Sequence, residues 1–316
     1  MIAVAFATLL ALQQPGQTEV LTCKDDPAQK YACYVPKAYH KAKKWPILYC
    51  FSPNAEGGYF VDFYREVCEE TGWIVVGSNN SKNGPGEPIL AAMKAMWADT
   101  HARFSIDDKR VFASGFSGGA RVSFWMSSLY PESFAGVIAI GAGTSDGKVA
   151  PKGMAVWLMC GETDFNLKEL EALDAKLKGE GWKVQRKTFP GAHTMPPKTL
   201  GADAVRWMAK EKPPLAKPNP AKAKSAIEAG EKALTDKSTK KAIASFQSAL
   251  QQGDEEQQKA AMEKLDEIEK AAAELWSQAE GEADKSKKRS ALTKLKTDFE
   301  GLEVAKKAAE ELKKLK

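Results

Sequence analysis

Between residue 19 and about residue 210, short runs of apolar and β-branched residues alternate with segments whose apolar positions recur every three or four residues. The runs "EVLTC", "YACYV", "PILYCF", "WIVVGS", "RVFAS", "AGVIAI", "MAVWLMC" and "WKVQRKTF" predict strands. Helical periodicity predicts helices over residues 57–71, 87–100, 118–130, 166–181 and 198–210. The first two runs are close enough to form a hairpin, and the rest interleave with helices. That order predicts an α/β domain over 19–211, a mostly parallel eight-stranded sheet covered on both faces.

The pattern then breaks. "KEKPPLAKPNPAKAK" concentrates four prolines among lysines and alanines, the composition of a semi-extended linker over 212–221. Residues 222–316 contain no proline and are rich in Ala, Lys, Glu and Gln, which predicts a separate all-α C-terminal domain punctuated by Gly253, Gly281 and Gly301. "DKSTKKAIASFQSALQQ" and "ADKSKKRSALTKLKTDFEG" look like two copies of one unit, as in a tetratricopeptide-like array of helix pairs. A plain helical hairpin or coiled coil is the alternative. At the other end, "MIAVAFATLLALQQPGQ" carries an uncharged apolar run too short to span a bilayer. It reads as the core of a signal peptide over 1–18, which implies export; a buried first strand or helix is the alternative.

Composition changes the picture only in part. A chain of 316 residues has room for two cores. The net charge of +5 is modest, and its lysines are interspersed with glutamates, which argues against a nucleic-acid partner. Of five cysteines, Cys23 and Cys33 sit either side of "DDPAQ", where a hairpin would set them face to face and allow a disulfide. Cys50, Cys68 and Cys160 lie in apolar runs and read as buried thiols. No C-x-x-C or Cys/His spacing suits a metal.

The chemistry gathers around "RVFASGFSGGARVSFWM". Gly115, Ser117 and Gly119 form G-x-S-x-G between a predicted strand and a predicted helix, the context of a nucleophile elbow. A serine hydroxyl needs a base to take its proton and a third group to orient that base. Of three histidines only His193, in the loop "FPGAHTM", follows Ser117. Asp164, past the strand in "VWLMCGETDFNL", is the expected acid; Glu162 is the fallback and Asp146 a weaker rival. An oxyanion hole needs two backbone N–H donors. Gly118 opens a helix and supplies one, and Asn54 or Ala55 in "SPNAEGG" the other, since Pro53 has no N–H.

These residues carry a resemblance. "IDDKRVFASGFSGGARVSFWMSSLYPESFAGVIAIGAG" resembles the nucleophile region of α/β-hydrolases of the polyhydroxyalkanoate-depolymerase and feruloyl-esterase-like branch, and "CGETD" with "PGAHTM" resembles that branch's acid and histidine loops. The resemblance covers residues 19–210 and implies the roles already reached for Ser117, Asp164 and His193. It departs at Ser52-Pro53, where the branch carries His-Gly. With the apolar N-terminus, the leading reading is a secreted serine esterase that works through an acyl-enzyme and uses no metal or cofactor. The short link from "GAGTSDG" to "PKGMAVW" leaves no room for a cap domain, which suits a bulky or polymer-attached ester. Two other readings stay open: a serine peptidase of the same fold, and a weakly catalytic module whose helical tail binds a protein or surface partner.

Overall fold

The alternation of apolar runs and helical periods becomes, in the computed structural model of the chain, one sheet with helices between most of its strands. Residues 14–145, 149, 151–212 and 219–315 are described. The apolar run of residues 2–12 and Asp146 therefore lie outside the described residues, as does all of the expected signal peptide 1–18 but its last five positions. The order is β1 (Thr18–Thr22), β2 (Lys30–Tyr34), β3 (Trp45–Phe51), α1 (Gly57–Thr71), β4 (Ile74–Ser78), α2 (Gly86–Arg103), β5 (Ile106–Phe116), α3 (Gly118–Leu129), β6 (Phe134–Ile140), β7 (Ala155–Gly161), α4 (Leu167–Gly179), β8 (Val184–Phe189) and α5 (Lys198–Glu211).

The eight strands lie in the order β1-β2-β4-β3-β5-β6-β7-β8. β2 pairs antiparallel with β1 and with β4, and every other neighbouring pair is parallel. Both faces of the central strands are buried, so their side chains divide by period two between two cores. Ile47, Tyr49 and Phe51 of β3 join Val111, Ala113 and Val137 on one face. Leu48 and Cys50 join Phe112 and Ile138 on the other. β5 begins four residues before the predicted "RVFAS". Ile106 is buried and pairs with Trp45, and the polar residues after it are held by an Arg110 Nε to Asp107 Oδ2 bond of 2.8 Å.

The expected Cys23–Cys33 disulfide is corrected by the hairpin register. β1 and β2 pair Thr22 with Lys30 and Glu19 with Cys33, so the turn centres on Asp26. Cys23 stands opposite Gln29, whose carbonyl accepts its N–H at 2.9 Å. The two sulfurs therefore belong to different rungs of the ladder, and all five cysteines are free and buried.

The described residues divide into two compact units. One holds the sheet and α1–α5; the other holds the remaining helices with the short segment His40–Lys44. These helices are α6 (Pro220–Thr235), α7 (Thr239–Gln252), α8 (Glu255–Gly281), α9 (Lys285–Asp298) and α10 (Glu303–Lys314). α6 starts inside the proline-rich stretch because Asn219 caps it, accepting the Lys222 N–H at 3.0 Å, and Pro220 sits at its first position, where a missing N–H costs nothing. The two similar stretches become α7 and α9. The helix that follows each differs in length, 27 residues for α8 and 12 for α10. Phe246, Leu250, Leu265, Leu292 and Leu295 form this unit's own core. No helix among the described residues is long and apolar enough to cross a membrane.

Candidate active site

β5 delivers the chain into a turn so tight that Ser117 adopts φ 54° and ψ −119° before α3 begins at Gly118. A non-glycine residue there stores roughly 1–3 kcal/mol of strain. The turn is held by neighbours: the Ser117 N–H donates to Ile140 O at 2.8 Å, and Ser117 O accepts from Ala120 N at 3.0 Å. Crossing backbones fix the two flanking glycines. A Cβ on Gly115 would stand 2.3 Å from the Gly119 carbonyl carbon, and one on Gly119 would stand 2.1 Å from Phe51 O. Only hydrogen fits at either place, and the serine is left at the carboxyl edge of the sheet.

Two further strand ends bring the partners. His193 lies in the loop after β8, and its Nε2 is 2.9 Å from Ser117 Oγ. Its Nδ1 is 3.0 Å from both carboxylate oxygens of Asp164, in the loop after β7. The Asp164 side chain is wholly buried, and the Asn166 N–H donates to its Oδ1 at 2.8 Å. The loops are stitched together, since Glu162 N and Thr163 N donate to Phe189 O and Gly191 O at 2.9 and 3.0 Å. Glu162, the fallback acid, points to solvent and has no bond to His193. Two rings flank the imidazole, Phe116 at 4.7 Å and Phe165 at 4.3 Å between centroids.

The loop after β3 is less ready than the sequence suggested. Gly118 N lies in the first turn of α3, where no intrahelical acceptor exists and the helix dipole favours negative charge. The amides of Asn54 and Ala55, however, turn back on their own loop. Asn54 N donates to Ser52 Oγ at 3.1 Å, and Ala55 N reaches Ser52 O at 3.4 Å. The cause is Ser52 itself, whose hydroxyl also donates to Glu56 Oε2 at 3.1 Å and so organises the loop around its own oxygen. Ala55 sits at φ 61°, so this loop, like the elbow at Ser117, holds a non-glycine residue at positive φ.

Beside the elbow, a cavity of about 550 Å³ opens between α2, α3 and the loop after β6. Gly118 stands at its edge; Ile89, Phe124 and Trp125 line its apolar side, and Asn83 and Arg121 its polar side.

No protein-family model matches the chain, and no curated protein matches it. Solved structures do. FphF, a fluorophosphonate-binding serine hydrolase of Staphylococcus aureus, superposes with a TM-score of 0.50 over 61% of this chain and 98% of its own, at 15% identity. Esterase 2 of Thermogutta terrifontis, phosphonylated by sarin in its structure, superposes with a TM-score of 0.50 over 62% of this chain and 96% of its own, at 13% identity. The chain has the α/β-hydrolase fold. In this α/β-hydrolase sheet, Ser117, Asp164 and His193 stand at the carboxyl ends of β5, β7 and β8.

Sequence reasoning missed two features of this α/β-hydrolase site. Asn83 N donates to Pro53 O at 2.8 Å, and the Asn83 side chain lies against Gly118, where an added Cβ would meet its Oδ1 at 1.8 Å. Arg121 of α3 makes a two-pronged pair with Glu169 of α4, both N–O distances 2.9 Å. Glu169 also accepts the Gly143 N–H at 2.9 Å, and Arg121 donates to Thr144 O at 2.9 Å. The pair joins the helix behind the serine to the helix behind the acid.

Proposed function

We propose that the chain is a serine carboxylesterase. The observation that carries this reading is the unbroken line of contacts Ser117 Oγ–His193 Nε2–His193 Nδ1–Asp164, at 2.9 and 3.0 Å, on a strained elbow. His193 takes the hydroxyl proton as Ser117 Oγ attacks the ester carbonyl, and the carbonyl oxygen becomes an oxyanion near the Gly118 N–H. The intermediate collapses as His193 returns the proton to the departing alcohol. Water then repeats the sequence on the acyl-enzyme and frees the acid. A second oxyanion donor requires Ala55 N to give up its long 3.4 Å bond to Ser52 O and turn to the substrate.

The likeness of "FSGG", "CGETD" and "PGAHTM" supports the polyhydroxyalkanoate-depolymerase and feruloyl-esterase-like branch. The apolar run of residues 2–12 supports export, and the similarity of α7 to α9 supports a helical accessory array that docks the enzyme on a polymer, a surface or a protein. The decisive experiment is labelling with a fluorophosphonate followed by p-nitrophenyl ester and peptide amide assays. Covalent modification at Ser117 with ester turnover, both lost in Ser117→Ala, is the expected result. Turnover of amides in preference to esters would make the chain a peptidase, and absence of labelling would make it a binding module.

A further inference from the structure

Phe165 is the most exposed large apolar side chain among the described residues, at 76%. Its position is not that of a stray surface residue. It directly follows Asp164, and its ring lies tilted against the His193 imidazole, 4.3 Å between centroids and 35° between planes. Its backbone is held on both sides. Asn166 donates through its N–H to Asp164 Oδ1 at 2.8 Å and through Nδ2 to Gly141 O at 2.7 Å, and Leu167 N donates to Asp164 O at 3.0 Å. A rigid loop therefore presents an aromatic face to water beside the base.

The chemistry proposed above fixes which part of a substrate meets that face. His193 Nε2 hands its proton to the leaving oxygen, so the alcohol must lie on the histidine's side of Ser117. The carbonyl oxygen turns toward the Gly118 N–H, and Gly118 borders the 550 Å³ cavity, which leaves the acyl group that cavity to enter. The alcohol and the acyl group thus part in opposite directions, the first over Phe165. A small alcohol leaves the ring wet. An alcohol with a flat aromatic ring covers it, gaining apolar burial and the offset stacking that aromatic pairs prefer.

We infer that Phe165 is a specificity-determining residue that selects esters of aromatic alcohols. The inference rests on the esterase reading, and the test separates the two. Benzyl acetate and ethyl acetate share one acyl group and have alcohols of similar leaving ability, so the ratio of their kcat/KM values reports the alcohol side alone. The expected result is a wild-type preference for the benzyl ester that falls about tenfold in Phe165→Ala and persists in Phe165→Trp. Phe165→Leu, which keeps bulk without the aromatic face, gives an intermediate ratio and stands in should the alanine variant misfold. An unchanged ratio in Phe165→Ala, or an equal loss on both esters, overturns the inference while fluorophosphonate labelling of Ser117 upholds the esterase. Failure of the wild-type chain to cleave either ester or to take the label overturns both.

Discussion

At the scale of single residues, the site is a set of side chains that cannot work apart. Asp164 is buried and holds both oxygens on one imidazole nitrogen; in the proposed esterase this contact fixes the tautomer and stabilises the imidazolium. Asp164→Asn should lower kcat by about a thousandfold to ten-thousandfold with KM little changed, read from steady-state kinetics on a p-nitrophenyl ester. Its position was legible because an acid after a strand and before the only downstream histidine leaves few choices. The partners of the β3 loop were not legible, because Ser52 Oγ takes the Asn54 N–H through a local bond that spacing does not reveal. The cysteines make a separate case. Burial, and after it the Asp99 charge, pushes the Cys23 thiol up to about 12, and burial raises Cys33, Cys50, Cys68 and Cys160 as well. At pH 8 all five stay protonated, and the thiolate is the reactive form. A disulfide-exchange reagent should therefore titrate five thiols in denaturant and almost none in the native protein. Rapid native reaction, or three thiols in denaturant, would contradict the free, buried arrangement.

At the scale of elements, eight strands and five helices of the first unit were readable because two periods, 2.0 and 3.6, alternate along a chain whose sheet is buried on both faces. Register was harder. The β1–β2 turn centres on Asp26, two residues before the midpoint between Cys23 and Cys33, and this small slip separates the sulfurs. Contacts between elements were invisible: Arg121 and Glu169 are 48 residues apart and meet only when α3 and α4 dock. That pair and the Gly143 N–H are anchored on one carboxylate, part-exposed to solvent. Glu169→Ala should cost about 1–2 kcal/mol in urea unfolding, the range of a charged hydrogen bond left partly to water. Since Ser117 immediately precedes α3 and α4 follows the Asp164 loop, the same variant should lower kcat more than it raises KM. A loss of stability with unaltered kcat would show that the pair braces the fold without setting the site.

At the scale of the whole molecule, two units with separate cores predict divisible behaviour. A chain ending at Lys212 should remain folded and keep its kcat/KM on a small soluble ester. The full chain should outperform it on an ester fixed to a surface, because tethering raises local concentration without altering the chemistry. Aggregation of the shortened chain, or loss of activity on the small ester, would show that the helices complete the catalytic unit. The strand order has a last consequence, for the time course of folding. β4 must enter between β2 and β3, and the serine waits for a histidine 76 residues away, so the site is assembled from long-range closures, which form slowly. The helical unit is built from neighbours in sequence. Of the eight tryptophans only Trp276 lies in it. On dilution from denaturant, helical circular dichroism should return first, tryptophan fluorescence later, and hydrolysis last of all. Before that final closure, a refolding chain has recovered much of its helix and has no enzyme.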